Sequence, residues 1–503
     1  MSEASLRRRG ERAERPRQVH PWRTAAVVAA FVLAAMVLGA GIVLHVRGWT
    51  ALGSESGGNC GGGYVGACPQ GLTPVLFLAF GFTFAGIIGM AILVGVVEKW
   101  VKRRRFGAIV AVVGVLAGIW PGVLVYGGLR GHILDVRWSA PLDRPSGVAG
   151  VGNWAHDNLV VRARADRLTA YTDQRIAWTA EIPGRDALCA MSRHVQDGVG
   201  LVAWAADDEP CATVVALDLR TGKSLWQLTR AAADRYGGAA TSDQLAVAGS
   251  VAVFTEPTGL RAVGLRDHEE RWRLDAGEGC APTGVAADAD HVTMLVDCGK
   301  ESMAVVAVDP ATGRARWRTA LPVEPPLTTA ALLAAHPVVV HAVEQGSRAA
   351  DDIIAFSDEG QVRARIPRSG PDYDMPPADE TGWPARAARP LIVWHDRLFA
   401  PVSAPGGDEY TAVAAFSLTT GKPLWRTTVD GDVAAIEPTT DGLVVAARTL
   451  RIEELSGADG AVTASAPVRG DWWVSVIELR KLNGAYAVIA RDGVADPPVM
   501  TVG

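Results

Sequence analysis

Catalytic signatures are missing from this sequence. It contains neither the GxSxG pattern of elbow-type serine hydrolases nor the HExxH pattern of zincins, so neither enzyme class is indicated. No CxxC spacing occurs among its six cysteines, which argues against a structural zinc site. Lysine is scarce, at six of 49 basic residues, and the basic residues that follow the apolar N-terminal region are scattered. We therefore expect no nucleic-acid partner.

Charged residues are absent from three long apolar runs near the N-terminus. The runs cover residues 24–44, 71–97 and 106–129. Each reaches the roughly 20 residues that are needed to cross the hydrocarbon core of a bilayer. Because the first run is longer than a signal-peptide core and two more runs follow it, we interpret all three as membrane spans.

Positive charge flanks these runs unevenly. Residues 1–23 carry seven arginines and residues 98–105 carry five basic side chains, whereas the loop 47–70 carries one. The positive-inside rule then predicts a cytoplasmic Arg-rich tail followed by a three-helix transmembrane region at 24–130, whose loop at 47–70 lies outside. We expect a multi-pass protein of the plasma membrane, with residues 131–503 as an extracytoplasmic domain and membrane lipid as one partner.

Two features of the runs have simple interpretations. Gly114, Gly118 and Gly122 form overlapping GxxxG spacings, which can bring helices close together. Since glycine is abundant, at 55 residues, we interpret the spacing as coincidental. His45, next to the outer end of the first run, has no partner in the other two runs, so no proton path is indicated.

A repeat fills the rest of the chain, and such a period indicates propeller blades or solenoid turns. Its clearest copies, 214–226, 305–317 and 413–425, each contain an apolar strand, a Thr-Gly turn and a second strand that opens with Trp. Weaker copies give eight marker positions in all: Trp138, Trp178, Trp226, Trp272, Trp317, Ala364, Trp425 and Ala464. We assign the six tryptophans to packing between blades, because a large ring buries much area there.

The spacing of the markers predicts the number of blades. They run from Trp138 to Ala464 in seven steps, with a mean spacing of about 47 residues, which suits a repeat of this kind. The tail after Ala464 and the segment from Gly131 to Trp138 are together as long as one more repeat. We therefore expect three N-terminal transmembrane α-helices and an all-β, eight-bladed propeller. Strands from both ends of the propeller would share one blade and remove exposed edges. A seven-bladed ring is the alternative.

The pattern Ala-x-Asp-x-x-Thr-Gly-x-x-x-Trp, seen at 216–226 and 307–317, resembles the repeat of pyrroloquinoline-quinone-type (PQQ-like) propellers. This resemblance extends over nearly all of residues 131–503 and implies eight blades. The family includes quinoprotein dehydrogenases and the non-enzymatic outer-membrane assembly lipoprotein. A dehydrogenase would be expected to have an adjacent Cys pair over the quinone and a Glu, Asn and Asp set around calcium. No two cysteines are adjacent here. We therefore expect no cofactor, and disfavour quinone with calcium.

The six cysteines fall into three local pairs, although sequence alone allows 15 connectivities. An oxidising exterior favours disulfides, and the second and third pairs are predicted at matching places in consecutive blades. The candidate pairs are Cys60 with Cys68, Cys189 with Cys211, and Cys280 with Cys298. Separately, His336 and His341 are five residues apart in one predicted strand, which places their rings on opposite faces, so they are not expected to share a metal.

One step between markers is unusually long. The step from Ala364 to Trp425 exceeds the mean by about 14 residues, and the surplus lies near 369–390. Long ordered loops are often functional, although the Pro and Gly content equally suits a flexible insertion. Its acidic residues lack the ligand order of an EF-hand, so calcium is not indicated. The candidate partner-binding residues are Asp372, Tyr373, Asp374, Met375 and Trp383.

These features favour a non-catalytic propeller that is anchored in the cell envelope and binds a protein, polysaccharide or small molecule on the outer face. A quinone-dependent oxidoreductase with a divergent site is the alternative. An extracytoplasmic sensor is a third possibility, but the short segment 1–23 ahead of the first span leaves no room for a folded output domain.

Overall fold

The computed structural model describes residues 21–503 except 57, 59, 61–67, 102–103, 146–147, 149, 173, 207–208, 232–242, 300–302, 325–326, 347–348, 377–390, 471, 475–476 and 491–495. The chain divides into two compact units, Met1–His132 and Ile133–Gly503. In its described residues the first unit is helical, and the second is built of strands.

The first unit contains the helices α1 (Pro21–Ser56), α2 (Leu72–Val101) and α3 (Arg104–Arg130). All three of these described helices are long and apolar enough to cross a membrane. The ends of α2 and α3 lie close to the predicted runs. Helix α1 is longer than predicted, because it continues to Ser56 through the first part of the predicted outer loop.

Buried polar contacts hold this extension of α1. Glu55 and Arg130 form an ion pair, and both residues are buried. The Arg130 guanidinium also donates to the carbonyl oxygen of Gln70 at 2.6 Å, and the Gln70 amide donates back to the Arg130 carbonyl oxygen at 3.0 Å. A disulfide joins Cys60 to Cys68 in the same connection. The end of α1 and the start of α2 are thereby tied to the end of α3.

The glycines of α3 make close helix contacts. A Cβ at Gly114 would lie 2.6 Å from the Cβ of Ala35 in α1, and a Cβ at Gly118 would overlap the carbonyl oxygen of Met36. Only small residues permit such an approach. The interpretation of the GxxxG spacing as coincidental was therefore wrong.

Within the described residues, the second unit forms eight four-stranded antiparallel sheets, the blades of a propeller. At most of the boundaries between neighbouring blades the first strands contact one another, so these strands form the inner ring. Blades 1 to 4 contain β2 (Gly150–His156), β3 (Leu159–Arg164), β4 (Arg167–Tyr171), β5 (Ile176–Glu181); β6 (Ala187–Met191), β7 (Val199–Ala205), β8 (Thr213–Asp218), β9 (Lys223–Thr229); β10 (Leu245–Ala248), β11 (Val251–Glu256), β12 (Gly259–Gly264), β13 (Glu270–Asp275); β14 (Ala281–Ala287), β15 (Val292–Asp297), β16 (Met303–Val308), β17 (Ala315–Ala320). Blades 5 to 7 contain β18 (Leu327–Ala335), β19 (Val338–Glu344), β20 (Asp351–Phe356), β21 (Val362–Pro367); β22 (Ile392–Trp394), β23 (Arg397–Val402), β24 (Ala412–Ser417), β25 (Pro423–Thr428); β26 (Val433–Pro438), β27 (Gly442–Ala447), β28 (Arg451–Ser456), β29 (Val462–Pro467).

Blade 8 closes the ring with strands from both ends of the unit. Three come from the C-terminal end, and the fourth, outermost strand is β1 (Val136–Ser139). The C-terminal strands are β30 (Ile477–Leu482), β31 (Ala485–Ala490) and β32 (Val499–Val502). Strand β1 runs antiparallel to β32. The eight-bladed architecture and its shared blade are confirmed.

Burial follows the order of the strands. All six residues of β27 are buried, and six of the seven in β7. These central strands pack on both faces against neighbouring blades, which explains their continuous apolar sequences. The outermost strands instead show alternating exposure, as in β5.

Candidate functional site

The two faces of the ring carry different connections. In an antiparallel blade, the turns after the first and third strands lie on one face, here called the turn face. The connections after the second and fourth strands lie on the opposite, loop face. The turn-face connections are short, and the longest of them is 192–198 between β6 and β7. Among the connections between described strands, 368–391 between β21 and β22 is the longest. Its described part, 368–376, leaves β21 on the loop face, beside the connection 403–411 between β23 and β24. The candidate site therefore lies on the loop face, at blades 5 and 6.

The start of the longest connection is packed into the fold. Met375 is completely buried in a cluster that also contains Ile353 of blade 5 and Phe416 of blade 6. The ring of Tyr373 lies 5.0 Å from that of Phe416, and its hydroxyl donates to the carbonyl oxygen of Pro367. Partial burial and the nearby charge of Asp352 raise the pKa of Tyr373. Residues 367–375 thus complete the core between two blades.

Hydrogen bonds with side chains of blade 5 also hold this segment in place. Asp351 accepts a hydrogen bond from Arg368 at 2.5 Å and lies 2.7 Å from Nε2 of His341. The other end of the Arg368 guanidinium donates to the carbonyl oxygen of Met375. Burial alone would raise the pKa of Asp351, but the hydrogen bonds with His341 and Arg368 outweigh it and lower that pKa. The ionised carboxylate therefore holds the base of the connection.

Asp374 joins the long connection to its neighbour on the loop face. Its backbone exchanges two hydrogen bonds with the backbone of Ser403, and its carboxylate accepts from the Gly406 N–H at 2.7 Å. The hydrogen bonds from Gly406 and the Ser369 side chain lower the pKa of Asp374. Beside this junction, Asp408 and Glu409 are exposed. We call residues 367–376 and 403–411 together the loop-face site.

Sequence comparison adds the family of the repeats. Residues 135–278, which cover blades 1 to 3, match the profile described as outer membrane protein assembly factor BamB. The propeller is of the PQQ-like type. A comparison with curated protein sequences finds no match.

Solved structures resemble the PQQ-like propeller only distantly. A computationally designed protein, Ika8, is 14% identical, with a TM-score of 0.46 over 73% of this chain and 98% of its own. Quinohemoprotein alcohol dehydrogenase from Comamonas testosteroni is 13% identical, with a TM-score of 0.46 over 73% and 76%. A europium-containing methanol dehydrogenase is 12% identical, with a TM-score of 0.44 over 71% and 85%. Similarity at this level carries no information about activity.

The repeat tryptophans lie between adjacent blades of the PQQ-like propeller. The indole N–H of Trp178, for example, donates to the Leu219 carbonyl oxygen of the next blade at 2.7 Å. Gly222 of the same turn has a φ of +69°, and a Cβ there would lie 2.6 Å from the Trp178 ring. Glycine is therefore required both by the positive φ and by the lack of room for a Cβ. The corresponding contacts are Trp226 to Leu265, Trp272 to Pro310, Trp425 to Gly457, Trp317 stacked on Phe356, and Trp138 beside Tyr171.

The cysteines pair as predicted in all three cases, and none of the six is free. Their distribution differs from the prediction. Cys189–Cys211 belongs to blade 2 and Cys280–Cys298 to blade 4, so these blades are not consecutive. The marker Trp272, which ends blade 3 between the two pairs, was the signal in the sequence that could have shown this.

The predicted partner-binding residues fall into three groups. Asp372 is exposed, while Tyr373 and Asp374 are partly buried. Met375 is fully buried, so its side chain is assigned to the core and not to a partner surface. Trp383 lies outside the described residues. The insertion is therefore not dispensable as a whole.

The two histidines of blade 5 have different partners. His341 is buried beside Asp351, whereas His336 stacks on His291 of the preceding blade, with ring centroids 4.0 Å apart. No group of three or more potential metal ligands is found in the described part of the chain. Sequence reasoning missed the 403–411 connection, although its Gly406-Gly407-Asp408-Glu409 run is a recognisable loop signal.

Proposed function

We propose that this protein is a non-catalytic binding protein of the cell envelope, anchored by its three helices, whose PQQ-like propeller binds a partner at the loop-face site. The proposal rests on the way in which the fold supports this site. A connection much longer than a blade requires begins on a segment held by Met375, Arg368 and Asp374. Rigidly supported loops are common positions for binding residues.

The composition of the blades supports the same choice. The distinctive side chains of the repeat, the tryptophans and the turn glycines, contact the neighbouring blade and are used for packing. The loop-face site instead exposes Asp372, Asp408 and Glu409. Three exposed carboxylates would favour a partner with a basic surface, since charge complementarity speeds encounter and selects partners.

Envelope extract passed over immobilised full-length protein in detergent tests the proposal. Two variants are compared by quantitative mass spectrometry of the retained proteins. Asp408→Lys with Glu409→Lys changes the loop-face site, and Asp358→Lys with Glu359→Lys makes the same charge change on the turn face. We expect the first variant to lose at least tenfold of a specific retained partner and the second to keep it. Equal retention by both variants would contradict the proposal.

We also propose that the N-terminus lies inside and the propeller outside, on the charge distribution around the spans. A membrane-impermeant thiol reagent applied to reduced intact cells should label Cys60 and Cys68. A cysteine placed at Lys102 should be protected. The reverse pattern would invert the topology and move the loop-face site to the cytoplasm.

The oxidoreductase alternative has a direct test. Purified full-length protein is incubated with pyrroloquinoline quinone and calcium, and dye reduction is followed with alcohols as donors. We expect no turnover above that of the free quinone. Turnover that depends on the protein would replace the binding proposal with the enzymatic one.

A further inference from the structure

The disulfide of blade 4 has a cation against its sulfur atoms. Nη2 of Arg318 lies 3.2 Å from Sγ of Cys280 and 3.0 Å from Sγ of Cys298. The other guanidinium nitrogen, Nη1, donates to the carbonyl oxygen of Ala276 at 2.6 Å, which fixes the position of the charge. Both cysteines are partly exposed and Arg318 is exposed, so a small reagent can reach the group.

The disulfide of blade 2 provides an internal comparison, because within the described residues its sulfur atoms contact no arginine. Sγ of Cys189 lies 3.4 Å from the carbonyl oxygen of Ala203. An arginine is also nearby, but Arg230 is buried and directs its N–H groups to the carbonyl oxygen of Cys211 at 2.9 and 3.1 Å. The two disulfides close loops of similar length, with sequence separations of 22 and 18. The two disulfides therefore remove nearly the same conformational entropy from the unfolded chain.

The position of the charge matters for thiol–disulfide exchange. A thiolate attacks one sulfur of the disulfide and expels the other as a thiolate. A guanidinium next to the leaving sulfur stabilises that thiolate and so accelerates the step. A carbonyl oxygen next to the leaving sulfur has the opposite effect, because its partial charge is negative. Asp275 and Asp297 lie near the blade 4 disulfide in sequence and oppose the effect, but each carboxylate accepts a backbone N–H, from Gly277 and Gly299.

We propose that Cys280–Cys298 is a thiol–disulfide exchange site whose substrate is a protein or small-molecule dithiol, while Cys189–Cys211 is structural. The dithiol supplies two electrons. Its first thiolate forms a mixed disulfide with Cys280 or Cys298 and releases the other as a thiolate beside Arg318. Its second thiolate then displaces the remaining cysteine, which leaves an oxidised dithiol and two protein thiols. This site is independent of the loop-face site.

Dithiothreitol is the test probe, applied to the full-length protein in detergent at pH 7. Samples are quenched with acid and alkylated, and mass spectrometry follows each disulfide separately. We expect Cys280–Cys298 to open roughly tenfold faster than Cys189–Cys211. Arg318→Gln should lower the faster rate three- to tenfold, and Arg318→Lys should restore part of it. Arg273→Gln removes a similar exposed charge from blade 3 and should change neither rate.

A second measurement uses only the wild-type chain. Raising the ionic strength from about 0.05 to 1 M screens the exposed guanidinium, so the rate advantage of Cys280–Cys298 should shrink. A ratio of rates near one at low salt overturns the proposal. So does an unchanged or faster reaction in Arg318→Gln, which would mean that access and not charge controls opening.

Discussion

Trp226 packs blade 2 against blade 3, and the contributions of its hydrogen bond and of its ring to this contact can be measured separately. Trp226 is 6% exposed, and its indole N–H donates to the carbonyl oxygen of Leu265, itself 3% exposed, at 2.9 Å. Trp226→Phe keeps an aromatic ring but removes the donor. A buried acceptor without its partner destabilises the fold by about 1–3 kcal/mol. The smaller ring adds about 1 kcal/mol for the space it leaves.

Trp317 is the matched control. It occupies the same place in blade 4, where its ring stacks on Phe356 with centroids 6.0 Å apart, and within the described chain its indole N–H makes no hydrogen bond. Trp317→Phe should therefore show only the effect of the smaller ring. The difference between the two variants isolates the hydrogen bond and is expected to be about 1–3 kcal/mol, or about 1–4 °C in melting temperature for a domain of this size.

The melting midpoint is read from the β-sheet signal in circular dichroism, with full-length protein in detergent. One scan rate is used throughout, because irreversible unfolding makes the midpoint depend on it. Trp226→Phe should melt below Trp317→Phe. Equal midpoints, or a lower one for Trp317→Phe, would show that ring size and not the hydrogen bond governs docking.

Further predictions concern closure, the long connection, acid and the helices. Deleting residues 484–503 removes both central strands of blade 8 with five large buried apolar side chains, whose burial contributes about 8–15 kcal/mol to the free energy of unfolding. The ring should then show no cooperative melting. A wild-type melting midpoint would favour seven blades. Met375→Ala should lower the free energy of unfolding by about 2–5 kcal/mol, whereas deleting residues 377–390 should leave the urea midpoint nearly unchanged. If the deletion lowers the urea midpoint more than Met375→Ala does, the core contact of Met375 is unimportant. The pKa of Asp351 is lowered in the fold, so its contribution is present above the ordinary aspartate pKa of about 3.9 and is lost as the pH falls; Asp351→Asn should be less stable at pH 7 but lose less stability on acidification, and parallel pH profiles would contradict this. Gly118→Leu should disrupt the contact of α3 with α1, seen as faster proteolysis between the helices, while Gly127→Leu, which meets no neighbour, should not.

Local patterns in the sequence were enough to predict most of the architecture. Apolar length predicted the three helices, because the thickness of a bilayer sets the length of a span. The spacing of the Trp markers predicted eight blades and the closing strand around Trp138, because each repeat is one sheet that must bury its faces against its neighbours. The disulfide pairs could also be predicted from the sequence, since each joins cysteines of one local segment.

Contacts between distant segments were decided only by the tertiary structure. The period of the repeat says which residues form a strand, but not which side chains meet across two blades. The stacking of His336 on His291, the burial of Met375 and the placement of Arg318 against two sulfur atoms all depend on how neighbouring elements pack. Helix α1 continues past its apolar run because Glu55 finds Arg130 at the end of another helix. A charge that is unfavourable in an apolar environment on its own becomes acceptable when the fold supplies its partner, and that partner is 75 residues away in the chain.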